Sequence, residues 1–279
     1  METNLRSLSA LEAKVVLALR ADERSLVESD DIAQLLGSKA QARKVSQNLV
    51  RKGWLSRLVG GRYMLLPPEH GPTNLGENNV LALASAIVAD SYIGWWSAAA
   101  FHGFTTQKPM TVTVAVRHQT RPREVEGTQV RFVSVVARKY FGYYSETVYG
   151  RPIRISTKAK TLADCLDRPD LAGGPAELAR IVFGASRSVE AAEVLEIARQ
   201  MGSTALLQRL GALADLTGWA IPPDLRTQMR RAIPKNYRSL LGRRARRPGD
   251  IGYVPDWGVL INTPLPDLLA DVPRLKRSG

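Results

Sequence analysis

The sequence predicts an α+β protein in two parts, a small N-terminal domain over residues 1–68 and a larger mixed, helix-rich domain over residues 79–279. Three observations carry this expectation. The first seventy residues hold three short helical periodicities punctuated by glycine and end in a glycine-centred hairpin. Residues 67–79, P-P-E-H-G-P-T-N-L-G-E-N-N, break the pattern with Pro, Gly and Asn, which marks a linker over 69–78. Beyond it, period-two alternation gives way near residue 157 to helical spacing that persists for some seventy-five residues.

The elements follow in order. Ser9 and Glu12 have the spacing of a capping box ahead of the apolar positions Leu11, Val15 and Leu19, which predicts a helix over about 9–21. Asp30 to Leu36 reads as a second helix, with Ile32, Leu35 and Leu36 inward and Gly37 as its stop. Ser38 and Gln41 repeat the capping spacing and open a helix to about Lys52, with Ala42, Val45 and Leu49 on one stripe. In W-L-S-R-L-V-G-G-R-Y-M-L-L, two β-prone runs flank Gly60-Gly61, a hairpin signal. Helix, helix, tight turn, helix, hairpin is the order of a winged helix-turn-helix.

In the larger region the same reasoning predicts helices near 79–90 and 95–103, then strands at 110–117, 129–136 and 146–155. Helices are expected over 159–167, 175–184, 188–201, 203–216 and 222–233. Asp250 to Gly279 carries four prolines and reads as irregular packing or a loosely held tail.

Charge is the unusual feature of the composition. Against 26 Asp and Glu stand 39 Lys and Arg, a net +13, which argues for a polyanionic partner. Its distribution narrows the reading. Between Ser38 and Arg62 lie seven cations and no acid, whereas the acids of the first domain sit in the N-terminus, the first two helices and their connection. On the third helix Arg43, Gln47 and Arg51 repeat at four-residue intervals away from the apolar stripe, and Lys39, Gln41 and Lys44 crowd its first turns. Arg offers a bidentate fork to guanine and Gln to adenine. Together with Arg62, just past the hairpin turn, these residues are expected to contact double-stranded DNA; the bland alternative is a solvated helix on a protein-docking module. A second concentration, from Arg226 to Arg247, has nine cations and no acid and includes Arg243, Arg244, Arg246 and Arg247. It reads equally as a further DNA or acidic-partner contact and as a solubilising edge.

Chemistry is not expected. The single cysteine, Cys165, excludes an internal disulfide and reads as a small buried side chain. His70, His102 and His118 lack ligand spacing, and His102 reads as a helix-terminal histidine facing the helix dipole. Asp164 and Asp167, one turn apart, could share a metal but have no His or Glu nearby to complete a shell, so capping or ion pairing is the better expectation. Gly173-Gly174 lacks the Lys-Ser/Thr of a phosphate loop. Tyr92, Trp95, Trp96, Phe101 and Phe104 read as core. No cofactor, metal or membrane partner is expected. The N-terminus lacks a signal peptide's basic start and apolar core, which makes the cytoplasm the expected compartment.

Several stretches resemble a known family. They are Y-I-G-W-W-S-A-A-A-F-H-G-F (Tyr92–Phe104), the strand Val112–Val116, R-F-V (Arg131–Val133), F-G-Y (Phe141–Tyr143), and K-T-L-A-D-C-L-D-R-P (Lys160–Pro169) followed by Gly173 and Gly174. In this order, behind a winged helix, they resemble the AbiEi antitoxins of bacterial AbiE toxin–antitoxin systems, over roughly residues 8–220. The resemblance implies an N-terminal winged helix that represses its own operon by binding inverted operator repeats. It further implies a C-terminal domain that counters a cognate nucleotidyltransferase-like toxin, usually without a stable complex, and no catalytic residues. Two other readings stay open from sequence: a one-component regulator with a ligand-sensing C-terminal domain, and an enzyme acting on nucleic acid or on a partner toxin. A basic RNA-associated protein is a third.

Overall fold

The structure is a computed structural model and describes residues 7–22, 26–57, 61–66, 77–125, 127–148 and 151–273. The expected linker lies almost wholly outside them. The chain is mixed α and β and divides into two compact units. The first comprises residues 1–89 with 124–128 and 146–153, and the second 90–123, 129–145 and 154–279.

In the first unit α1 (Ala10–Ala21) is opened by Ser9. The Ser9 N–H donates to the Glu12 carboxylate at 2.7 Å, and the Glu12 N–H donates back to the Ser9 hydroxyl at 3.4 Å. Its inward face is Glu12, Val15, Val16 and Leu19, whereas Leu11 is 45% exposed. Val15 and Leu19 keep the expected stripe, and Glu12, held by an ion pair described below, takes the inward place at its start. A short strand that the sequence reading missed, β1 (Leu26–Glu28), follows. Then come α2 (Ser29–Leu36), ended by Gly37 in the left-handed region, and α3 (Lys39–Arg51). The strands β2 (Leu55–Arg57) and β3 (Arg62–Leu65) complete a three-stranded antiparallel sheet ordered β1-β3-β2. Val15, Val16 and Leu19 of α1, Ile32 of α2, and Ala42, Val45 and Leu49 of α3 bury themselves against Val27, Leu55 and Tyr63 of the sheet. This is a winged helix-turn-helix with a closed core. The helix α4 (Glu77–Ile87) ends the contiguous part of the unit.

The second unit contains β4, β5 and nearly all of β7, which belong to a six-stranded sheet ordered β6-β7-β5-β4-β9-β8. The strands of that sheet are β4 (Ser91–Ile93), β5 (Thr111–Val116), β6 (Arg123–Val125), β7 (Thr128–Ser134), β8 (Tyr143–Val148) and β9 (Arg151–Ser156). The expected single strand at 146–155 is thus a pair, β8 and β9. Between β4 and β5 runs α5 (Trp95–Phe101), and five helices follow: α6 (Lys158–Asp167), α7 (Pro175–Ala185), α8 (Ala191–Met201), α9 (Thr204–Thr217) and α10 (Pro223–Arg231). Leu162, Leu166, Leu178, Ile181, Leu210 and Leu213 form the centre of one large core.

Residues 239–268, expected to belong to an irregular stretch or tail, form structural elements. The strands β10 (Ser239–Gly242), β11 (Asp250–Val254) and β12 (Val259–Pro264) form a mixed sheet ordered β10-β12-β11, and α11 (Leu265–Leu268) closes it. The prolines that argued for irregularity sit at boundaries: Pro264 ends β12, and Pro266 lies in the first turn of α11, where no N–H is required. Trp257 fastens this sheet. It is 1% exposed, its Nε1 donates to Asp215 at 2.7 Å, and the guanidinium carbons of Arg226 and Arg230 stand 5.4 and 5.1 Å from its ring centre. Gly211 on α9 makes room for it, since a Cβ there would lie 2.2 Å from the indole. Gly211→Ala is therefore expected to lower stability in urea unfolding by at least about 2 kcal/mol, the overpacking cost of a filled site.

Candidate nucleic-acid interface

The α3 surface is set by which of its residues the core claims. Ala42, Val45, Ser46 and Leu49 are buried, and the Ser46 hydroxyl is satisfied within the helix by donating to the Ala42 carbonyl at 2.7 Å. Lys39, Gln41, Arg43, Lys44, Gln47 and Arg51 are all exposed, so six of the seven predicted contact residues share the solvent side of one helix. The Ser38 hydroxyl accepts from the Gln41 N–H at 3.4 Å. Among the described bonds the Gln41 side chain does not return the contact, so the expected box is half made.

Little of this surface is spent on internal contacts. The Lys39 ammonium stands 3.9 Å from Asp30 with both groups largely in solvent, a pair worth well under about 1 kcal/mol. Arg51 donates to Asn48 Oδ1 at 3.0 Å. Among the described residues no carboxylate pairs with Arg43 or Lys44. Arg43 and Gln47 line a cleft of about 440 Å³ that reaches across to Arg57 and Gly61 of the hairpin, with Ser46, Val50 and Tyr63 also on its walls and Asp30 and Lys39 at its rim.

The hairpin departs from expectation. Arg62 is half-buried, and its Nη2 donates to the Ile87 carbonyl at the end of α4 at 2.8 Å. That guanidinium is committed inside the unit. Arg57, the outward residue of β2, is the exposed hairpin cation instead. Period-two alternation does not single it out, because Leu55 and Arg57 are two apart and fall on the same strand face; only its charge marks Arg57 as the residue that leaves the core.

Lys52 is likewise turned inward. Its ammonium donates to Glu12 Oε2 at 2.6 Å, with the two side chains 19% and 2% exposed. Burial drives the Glu12 carboxyl upward, but the hydrogen bonds from Lys52 and Ser9 outweigh it and hold the group below its ordinary value. A carboxyl depressed on folding stabilises above its unfolded pKa and loses that contribution as pH falls through the folded value. Glu12→Gln is expected to unfold at lower urea than the parent at pH 7, with the gap closing below about pH 4, as denaturation curves at the two pH values would record.

The second unit uses its ionisable groups differently. Lys160 is fully buried and donates to Asp164 Oδ1 at 2.5 Å and to the Tyr92 hydroxyl at 3.2 Å. Burial pushes Asp164 up to about 6 despite that ammonium. Asp167 pairs with Lys139 at 2.6 Å and accepts from the Ser203 hydroxyl at 2.6 Å. The two aspartates therefore serve separate partners. Among the described residues no cluster of three His, Cys, Asp or Glu side chains could hold a metal ion. Cys165 is buried and its thiol is pushed up, first by burial. His102 caps the end of α5 as expected, but its Nε2 lies 2.7 Å from the Ser156 carbonyl and burial lowers its pKa, so the ring bonds across the fold rather than placing a charge on the helix dipole. Since Asp164 is raised on folding, its protonated form favours the folded state, and that contribution is lost as pH rises from about 4 to about 6. Asp164→Asn is expected to flatten stability over that interval, as urea midpoints across it would show.

The second basic concentration is partly neutralised. Arg243 is bound to Asp250 at 2.6 Å, whereas Arg244, Arg246 and Arg247 are exposed. Among the described residues no helix is long and apolar enough to cross a membrane.

No protein-family model matches the sequence, and the comparison with curated proteins finds no match. Among solved structures the chain is similar to the RV2827C protein from Mycobacterium tuberculosis, with a TM-score of 0.67, 17% identity and 95% of each chain covered. At that identity the likeness is one of fold, and it extends over both units.

Proposed function

We propose that this chain is a DNA-binding antitoxin of the AbiEi type, which represses its own operon through α3 and counters a nucleotidyltransferase-like toxin through its second unit. The observation that supports this reading best is the face of α3. Six long polar side chains stand in solvent there, four of them cationic, on a helix whose opposite stripe is locked in a core. A helix of this kind, second in a helix-turn-helix, has the width and donors to enter a major groove, with its first turns leading. The cleft toward Arg57 gives a phosphate strand a place beside the helix. The antitoxin half of the proposal comes from the sequence resemblance in the second unit, between Tyr92 and Gly174.

Roles divide by chemistry. Arg43 and Gln47 carry base-reading forks, so Arg43→Ala and Gln47→Ala are each expected to cost about 1–3 kcal/mol on the upstream operator and little on unrelated duplex. Lys44→Ala is expected to weaken all sequences alike and to lower the salt slope by about one. A mobility-shift series over salt and sequence measures both effects. If Arg43→Ala leaves operator binding untouched, α3 is not the reading element. In cells, the Arg43→Ala/Gln47→Ala chain is expected to lose repression yet still rescue growth from the toxin encoded beside it. Loss of both together would remove the division of labour.

A further inference from the structure

The arginine-rich stretch before β11 has no part in the reading above. Of the nine cations between Arg226 and Arg247, three are neutralised by the unit's own carboxylates: Arg226 by Asp215 at 2.5 Å, Arg230 by Asp256 at 3.2 Å and Arg243 by Asp250 at 2.6 Å. The remaining six are exposed, and among the described residues none of them is paired with a carboxylate.

The loop that carries Arg244, Arg246 and Arg247 is held from beneath. Buried Asp250 accepts from Arg243 Nη2 and, through its other oxygen, from the Arg247 N–H at 2.7 Å. Fully buried Asn262 donates Nδ2 to the carbonyls of Arg243 at 2.8 Å and Arg244 at 3.3 Å. Gly242, at φ +102, enters the loop where a Cβ would stand 2.7 Å from the Asn262 carbonyl oxygen. Two guanidiniums then rest against neighbouring residues of β11. That of Arg246 occupies the space beside Gly252, where a Cβ would meet Nη2 at 2.9 Å, and that of Arg238 lies 5.1 Å from the centre of the Tyr253 ring, which is itself 43% exposed.

We propose that the β10–β11 loop, with Arg238 beside it, is a second nucleic-acid-binding surface that grips the phosphate backbone of a strand. A guanidinium presents parallel N–H donors to a phosphate, and a loop already fixed by Asp250 and Asn262 has little ordering left to lose on binding. An acidic protein is the poorer fit. Protein interfaces centre on desolvated apolar side chains, and the loop, R-R-A-R-R-P-G, offers none larger than alanine and proline. A polyelectrolyte needs none, because released counterions drive its binding. The exposed Tyr253 ring adds a surface on which an unpaired base can stack.

The test uses the full chain, fluorescence anisotropy and a salt series. The probes are a single strand of about 20 nucleotides and a duplex of the same unrelated sequence. Arg244→Ala/Arg246→Ala/Arg247→Ala is expected to lose about tenfold or more in affinity and to flatten the log–log salt slope by about 2 to 3. A larger loss on the single strand identifies unpaired nucleic acid as the ligand, and equal losses identify the backbone alone. The triple lysine variant keeps the charge and is expected to keep the slope while binding more weakly, because the fork is gone. Unchanged affinity and slope in the alanine variant would overturn the proposal. So would poly-glutamate displacing the probe as effectively as nucleic acid at equal charge. Neither outcome depends on α3: Arg43→Ala tests that helix on the operator, and either surface can fail without the other.

Discussion

Burial of Val45 and Leu49 fixes the rotation of α3 about its own axis, and the chemistry of the first unit depends on that rotation. With Ala42 they present an apolar stripe to Val15, Leu19, Ile32 and Tyr63, at 5% exposure or less on α3. A turn of one residue position, about 100°, would carry a charged side chain into that core, which costs far more than any surface contact returns. The polar face is therefore held in place by the apolar one. Ser46 shows how tight the arrangement is: a hydroxyl inside the stripe is tolerated because it bonds within the helix.

The net charge of +13 describes two uses of charge. On α3 the cations stand in water, with only a loose Lys39–Asp30 pair and an Arg51–Asn48 bond among the described contacts. In the second unit many are architectural. Lys160 is sealed against Asp164, Arg180 binds Glu177 and Asp271, and Arg209 donates to the carbonyls of Leu166 and Leu240. Such groups are expensive to bury and costly to orphan, so removing one partner exposes the full desolvation penalty of the other. The Arg243–Arg247 loop combines both uses, with one arginine anchoring and three presented.

Sequence patterning served well where one physical signal dominated. Ser9 with Glu12, Gly37 and the Ala42/Val45/Leu49 stripe located α1, the helix-turn-helix and its outward face, because capping and period 3.6 act within a few residues. It served poorly where a distant partner decided the matter. Lys52 and Arg62 look like their exposed neighbours in sequence, yet Glu12 lies forty positions away from the first and Ile87 twenty-five from the second. Leu11 keeps the apolar period of α1 yet stands exposed, while Glu12 is held inside by Lys52 forty positions away. The strands β11 and β12 were hidden by prolines that mark their ends. Trp257 carried the missed signal, since a tryptophan seldom belongs to a loose tail. The short strands β1 and β4 are too brief to show a period.

The hairpin is tied to the helices by a side-chain hydrogen bond. The Ser29 hydroxyl, at the first position of α2, donates to the Gly61 carbonyl at 2.6 Å, and Gly61 at φ +76 leaves only 3.1 Å between a would-be Cβ and that oxygen. One bond thus ties the start of the strand after the turn to the helix that precedes α3, on the wall of the cleft. If DNA is the ligand, a duplex meets there a hairpin that is held to the helices. On the proposed reading, the accommodation falls on the double helix, whose groove width varies with base composition and whose stiffness sets the cost. Sequences that already have the right groove dimensions would then be favoured at positions no side chain touches.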